Sequence, residues 1–307
     1  MSPKSRRTAI VLSLLFVVIL SLGLVLFYPF EKEVSAGDIQ HCLDSLGNGN
    51  LDDPSLMRKR AYDLATVIFD DSAECDRFAD EVTQIYFVSK NVDFLLVYNT
   101  GGFGGATMAD DPEWPSILEG MKSELADLGY ESIIIEHQRG KGGIFGFIEE
   151  VEELEDNYAT KAPELAAKVA FLTKYNPGLK VITTGRCFGA IFSNEVMELE
   201  AENLRVYSIQ AGVPFWYTEP SGERTLVIRD NGIMSDTLGK RGLFSFLWAF
   251  FRANFGQRLS TSPIEGGSVK ILSWYFKTPG HTYTWNYPGV RSRIIAFLEE
   301  NFAHEGV

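Results

Sequence analysis

The chain has few basic residues and few histidines, and each scarcity excludes a class of function. Its 28 lysines and arginines stand against 41 aspartates and glutamates, so the formal net charge is −13. Nucleic acid is not an expected partner, because binding phosphates requires a basic surface that releases counterions. The four histidines and the acids lack the spacing of metal ligands. We therefore expect no metal site and no cofactor.

The amino terminus carries a long apolar run. Basic residues among the first seven precede an uncharged segment of 23 residues, Thr8 to Phe30. A bilayer core needs about 20 apolar residues. Basic residues before such a span predict that the main domain lies on the extracytoplasmic side. We therefore predict a single-pass signal anchor over residues 1–30; a signal peptide cleaved at Val34-Ser35-Ala36 is the alternative.

Only three cysteines are present, Cys42, Cys75 and Cys187. In an exported protein cysteines tend to pair, and an odd one requires another explanation. We predict a disulfide between Cys42 and Cys75, which leaves Cys187 single. Two buried free thiols are the alternative.

The order of sequence patterns predicts an α/β fold. Residues 31–91 are polar, with apolar positions at helical spacing, and predict a helical preface without a catalytic signature. Over residues 92–307, strand and helix patterns alternate, which predicts a mainly parallel sheet with helices on both faces. The aromatic-rich stretch 237–265 predicts a lid-like insertion or a surface that contacts lipid. A buried crossover helix is its alternative.

The motif Gly185-Arg186-Cys187-Phe188-Gly189 lies between a predicted strand and a predicted helix. It has the form G-x-nucleophile-x-G, in which the chain reverses sharply and the glycines remove side chains that would collide. The central side chain is left at a helix N-terminus, which favours an anion. A thiol at such a position loses its proton more readily, and the thiolate is the nucleophile. Cys187 is therefore the candidate nucleophile.

With this motif the chain resembles the α/β-hydrolase superfamily, and within it the members with a cysteine elbow, such as dienelactone hydrolases. Residues 98–105 follow the first strand, where the family places a Gly-rich oxyanion loop. Residues 136–142 look like the family's D-x-R-G-x-G segment. His281 follows the last predicted strand, 269–276, where the family keeps its catalytic histidine. The resemblance covers about residues 92–302.

The resemblance implies an α/β-hydrolase fold and a triad of cysteine, histidine and aspartate. Cys187 would attack an acyl carbonyl, and His281 would hold its proton and later activate water. Asp230 and Asp236 both follow the strand predicted at 225–229, and we favour Asp230 as the acid. The oxyanion would be bound by backbone amides of four residues: Gly102, Phe103, Gly104 and Phe188.

These residues predict a membrane-anchored, thiol-dependent hydrolase or acyltransferase that acts on an ester, thioester or lactone. Its substrate would be a small-molecule or lipid-like acyl compound. A non-catalytic binding protein with the same fold, on the outer face of a membrane, is the alternative. A dinucleotide site at residues 101–105 is a third hypothesis. It is disfavoured because the loop lacks a full G-x-G-x-x-G and the next acidic strand end, Glu136, comes too late.

Overall fold

The structure is a computed structural model that describes residues 33–47, 52–101, 105–140, 143–218, 222–233, 236 and 280–303. Several predicted features lie outside these residues: the signal anchor over 1–30, the insertion 237–265, the strand 269–276, and Gly102, Phe103 and Gly104. Within the described ranges, no helix is both long enough and apolar enough to cross a bilayer.

Among the described residues, three helices precede the first strand, in the region predicted as a helical preface. They are α1 (Ala36–Ser45), α2 (Pro54–Ile68) and α3 (Ser72–Ser89). Each begins after a residue whose side chain accepts a hydrogen bond from the first turn: Ser35, Asp53 and Asp71. Such caps satisfy amides that have no partner inside the helix, which fixes where each helix begins.

The sheet in the described part has five strands, all parallel, in the order β2-β1-β3-β4-β5. The strands are β1 (Phe94–Asn99), β2 (Ser132–His137), β3 (Lys180–Arg186), β4 (Val206–Ala211) and β5 (Thr225–Ile228). The predicted parallel α/β sheet is therefore confirmed. Sheets of this kind bind ligands in the crevice beyond the carboxyl ends of the strands at which the strand order reverses, and here those strands are β1 and β3.

In the described part of the chain, five α-helices follow the first strand, and they complete a layer on each face of the sheet. They are α4 (Trp114–Asp127), α5 (Gly143–Glu155), α6 (Ala162–Tyr175), α7 (Phe188–Leu199) and α8 (Pro288–Phe302). In β1, Leu95 and Val97 pack on one side with α1, α2, α3, α6 and α7. Leu96 and Tyr98 pack on the other with α4 and α8. This alternation follows from the two-residue period of a strand.

The predicted disulfide between Cys42 and Cys75 is wrong, because all three cysteines are described and all are free. The thiol of Cys42, on α1, lies 3.8 Å from the carbonyl oxygen of Asp63 in α2. The thiol of Cys75, on α3, lies 3.6 Å from the carbonyl oxygen of Phe69 at the end of α2. Both sulfurs thus contact the backbone of the intervening helix and not each other. Burial raises the pKa of both thiols.

Candidate active site

Cys187 occupies the turn between β3 and α7 in a strained backbone conformation. Its φ is 56° and its ψ is −121°, and it is the N-cap residue of α7. A side chain with a Cβ rarely adopts positive φ, and the strain costs about 1–3 kcal/mol. The surrounding backbone holds it: the Cys187 amide donates to the carbonyl of Ala211 at 3.0 Å, and the Cys187 carbonyl accepts from the amides of Ala190 and Ile191. The thiol is thus fixed at a helix N-terminus.

The two glycines of the motif are required by close packing around this turn. A Cβ on Gly185 would lie 2.4 Å from the carbonyl oxygen of Gly189. A Cβ on Gly189 would lie 2.4 Å from the carbonyl oxygen of Asn99 and 2.6 Å from that of Thr100. The turn therefore packs directly on the carboxyl end of β1. This packing places Cys187 at the crevice where the strand order reverses.

The structure brings His281 and Asp236 to this cysteine. His281 Nδ1 lies 2.8 Å from Asp236 Oδ2, and the Cys187 side chain is close enough to the imidazole to raise its pKa. Asp236 is 1% exposed. Its Oδ2 also accepts a hydrogen bond of 2.6 Å from the hydroxyl of Tyr283, a fully buried side chain. A buried carboxylate that accepts these hydrogen bonds fixes the orientation of the imidazole.

The surroundings of His281 strongly favour its charged form. Burial alone would lower the pKa of this imidazole, but the hydrogen bonds to Asp236 and Cys187 outweigh that effect and raise the pKa to about 10. The histidine beside the sulfur therefore stays protonated at neutral pH. A cationic neighbour at a helix N-terminus is the environment in which reactive cysteines are found.

Asp230, which the sequence favoured as the acid, does not contact His281. Its carboxylate pairs with Arg293 on α8 at 3.4 Å and accepts a hydrogen bond from the amide of Gly232 at 2.9 Å. Both partners of this ion pair are partly exposed to solvent. The chain turns after β5, and Asp236, six residues further on, is the aspartate that reaches the imidazole. The choice of Asp230 is therefore corrected to Asp236.

Gly212 and Tyr283 belong to this site although neither was singled out from the sequence. Gly212 directly follows β4 and has a φ of 59°. A Cβ there would lie 2.6 Å from His281 Cε1 and 2.8 Å from Asp236 Oδ2. His281 and Asp236 therefore pack directly against the backbone of Gly212. The available signals were weak: a glycine at the end of a predicted strand, and a tyrosine two residues after the candidate histidine.

Arg186 links the cysteine turn to the segment that carries His281. Its guanidinium bonds the carboxylate of Glu113 and lies 3.4 Å from Asp111. Glu113 also accepts a hydrogen bond of 3.1 Å from the amide of Tyr283. Burial raises the pKa of Glu113, and Arg186 opposes that rise. The guanidinium of Arg186, next to the nucleophile, is thus paired with the carboxylates of Glu113 and Asp111.

Arg139 plays a comparable part on the other side of the turn. Its fully buried guanidinium pairs with Glu150 at 2.7 Å. It donates to the carbonyl of Thr100 at 2.6 Å and to that of Phe188 at 3.4 Å. Phe188 is the first residue of α7, and first-turn amides have no partner within their helix. Arg139 therefore ties together Phe188 and the segment that leads into the predicted oxyanion loop, residues 102–104.

No family model and no curated protein matches this chain. Among solved structures it is similar to Trichoderma reesei cutinase in complex with a phosphonate inhibitor. The TM-score is 0.34 and the identity 14%, over 57% of this chain and 82% of that chain. A likeness at this level says nothing about activity, which has to follow from the residues of the site.

Proposed function

We propose that the chain is a thiol-dependent hydrolase or acyltransferase that acts on an ester, thioester or lactone. Cys187 is the nucleophile, His281 the base and Asp236 the residue that orients the base. One observation carries the proposal: a cysteine at positive φ on a helix N-terminus lies beside an imidazole whose Nδ1 contacts a buried carboxylate. Strain of this kind persists where the surrounding structure enforces it, and it clusters at active sites.

The proposed reaction has two stages. The Cys187 sulfur attacks the acyl carbonyl, and its proton resides on His281. The tetrahedral intermediate collapses, the bond to the leaving oxygen or sulfur breaks, and His281 delivers the proton to the leaving group. Water, or an acceptor hydroxyl in the transferase, then gives a proton to His281 and attacks the thioester. The sulfur leaves and recovers the proton.

Transition-state charge in both stages develops on the carbonyl oxygen. The amide of Phe188 and amides of residues 102–104 are its proposed donors, as the resemblance implies. One such donor is worth about 3–4 kcal/mol in a known protease. Arg139 acts as a positioning residue, because it holds the carbonyls of Thr100 and Phe188 and so constrains both peptide segments.

We also propose that this domain is exported and held at the outer face of a membrane. The support is the sequence of residues 1–30, with basic residues before an apolar run of sufficient length. In intact cells that express the full chain with a carboxyl-terminal tag, external protease should remove the tag, and carbonate washing should leave the protein in the membrane fraction. A tag protected from protease would refute export, and release by carbonate would refute the anchor.

Alkylation by iodoacetamide at neutral pH tests the catalytic assignment without knowledge of the substrate. Cys187 should react at least about tenfold faster than Cys42 and Cys75, whose pKa values are raised by burial. Quantifying the three cysteine peptides from one sample makes the other two thiols internal controls. His281→Ala should remove most of the advantage of Cys187.

Hydrolysis of 4-nitrophenyl butyrate provides the second measurement. Cys187→Ala and His281→Ala should each abolish it. A non-catalytic binding protein would instead show no turnover and a Cys187 alkylation rate that His281→Ala leaves unchanged. That combination of results would overturn the enzyme proposal.

A further inference from the structure

Three aromatic side chains lie together beside the cysteine turn. Phe188 directly follows Cys187, and its ring centroid is 6.3 Å from that of Trp216. The Trp216 ring makes an edge contact of 5.0 Å with Phe215. Trp216 remains 51% exposed, an unusual position for so large an apolar surface. We call Phe188, Phe215 and Trp216 the aromatic wall.

The backbone connects this wall directly to the site. Phe215 and Trp216 belong to the loop after β4, which begins at Gly212, the residue on which His281 and Asp236 rest. The last residue of β4, Ala211, accepts the amide hydrogen bond of Cys187. The other end of the wall, Phe188, packs partly on the core beneath α7. The aromatic wall is therefore joined through the backbone to Cys187 at one end and to Gly212, which packs against His281, at the other.

The charged side chains that flank the turn are already engaged. Arg186 is paired with Glu113 and Asp111, and Arg139 with Glu150. A substrate carboxylate at this place would have to displace one of these acids, and burying an uncompensated charge is costly. The neighbourhood of the nucleophile thus offers an apolar surface and pairs of charges that are already neutralised.

We propose that the aromatic wall is the acyl-binding surface and that it takes an uncharged, apolar acyl chain. The inference rests on the proposed function for the reaction itself, and it adds the substrate class. A chain of several methylenes that leaves the carbonyl at Cys187 would cover the exposed face of Trp216. Each methylene removed from water should raise the rate by up to about fourfold, until the wall is covered.

The test compares iodoacetamide with N-octyl iodoacetamide as probes of Cys187, because alkylation does not require turnover. The measured quantity is the alkylation rate with the octyl probe divided by the rate with iodoacetamide. At Cys187 this ratio should be at least about tenfold higher than for a small free thiol, and at Cys42 it should be nearly the same as for the free thiol. Trp216→Ala should remove most of that gain, measured as the ratio of the octyl rate to the iodoacetamide rate. Trp216→Phe should restore part of it. Leu204→Ala is the matched control. Leu204 is 73% exposed, but it precedes the amino end of β4, whereas Cys187 lies at the carboxyl ends of the strands.

Hydrolysis of 4-nitrophenyl esters with acetyl to decanoyl chains provides a second readout. The increase of kcat/KM with chain length should be smaller in Trp216→Ala than in the wild type, and unchanged in Leu204→Ala. An octyl gain that is absent, or unchanged by Trp216→Ala, overturns the inference even if esters are hydrolysed. Loss of ester hydrolysis with a persistent octyl gain would instead refute the catalytic assignment and leave the apolar site standing.

Discussion

Replacing Asp236 by asparagine is the sharpest test of the triad. The carboxylate is 1% exposed and accepts hydrogen bonds from His281 at 2.8 Å and from Tyr283 at 2.6 Å. Hydrogen bonds to charged groups contribute about 1.5–3 kcal/mol each. An asparagine removes the charge and can present an amide donor to the imidazole, which then favours the wrong tautomer. A loss of about 3–5 kcal/mol of transition-state stabilisation corresponds to a fall in kcat/KM of about 10²–10⁴.

The matched control for Asp236→Asn is Asp230→Asn. Asp230 makes a partly exposed ion pair with Arg293 at 3.4 Å, and pairs of this kind contribute about 0–1 kcal/mol. Both variants and the wild type should be compared in ester hydrolysis, in Cys187 alkylation and in urea unfolding. Asp230→Asn should stay within about twofold of the wild type in both rates.

The alkylation rate of Cys187 does not depend on the choice of ester substrate, so it provides an independent readout of Asp236→Asn. Asp236→Asn should lower the pKa of His281, because the hydrogen bond that the imidazole donates to the carboxylate is a main cause of its elevation. With a less stable positive charge beside the sulfur, the alkylation of Cys187 should be slower. If Asp236→Asn retained the activity and the alkylation rate, or if Asp230→Asn lost as much of both, the assignment of the acid would be refuted.

Three further predictions concern the residues around the triad. Tyr283→Phe removes a hydrogen bond to the triad carboxylate and should lower kcat about tenfold with KM nearly constant; equal losses in Gly178→Ala would indicate a general defect. Gly189→Ala places a Cβ 2.4 Å from a backbone oxygen and should lower the free energy of unfolding in urea by about 1–3 kcal/mol. Gly178→Ala is the control, because the atom nearest to its Cβ is 4.0 Å away and no such loss is expected. Cys187→Ala should lower the pKa of His281 in an NMR titration, and an unchanged pKa would contradict the hydrogen bond between the two side chains.

The sign of the pH dependence follows from the raised pKa of His281. A histidine in the unfolded chain titrates near about 6.5, and the folded value is about 10. The contribution of this group to stability is therefore fully present below about pH 6.5 and is lost as the pH rises toward 10. In His281→Gln the decline of the unfolding free energy over this window should be shallower than in the wild type. An equally steep decline in both proteins would count against the imidazolium.

The cysteine turn was predictable because its determinants are contiguous in the chain. A strand, two glycines around one residue and a helix all lie within about 20 residues, so their geometry is local. The alternation of strands and helices is likewise a local pattern, and it predicted the parallel sheet. Which strands are neighbours, with the reversal between β1 and β3, is a long-range outcome that these patterns do not encode.

The acid and the disulfide show where sequence reasoning failed. Asp230 and Asp236 both follow β5, and only the packing of that turn against the segment after residue 280 selects one of them. The Asn231 side chain donates to the carbonyl of Thr282 at 3.1 Å, which joins the two segments. For the cysteines, the sequence allowed a bridge between Cys42 and Cys75, but the helix between them occupies the position that each sulfur faces.

The sequence by itself determined the α/β class and the nucleophile candidate, because periodic burial and tight turns depend on residues close together in the chain. Only the tertiary structure decided which acid meets His281, that Gly212 forms the floor of the site, and that Arg186 and Arg139 are neutralised by acids. The contacts of His281, Gly212 and Arg186 join residues tens of positions apart, and they depend on tertiary packing that no local pattern specifies.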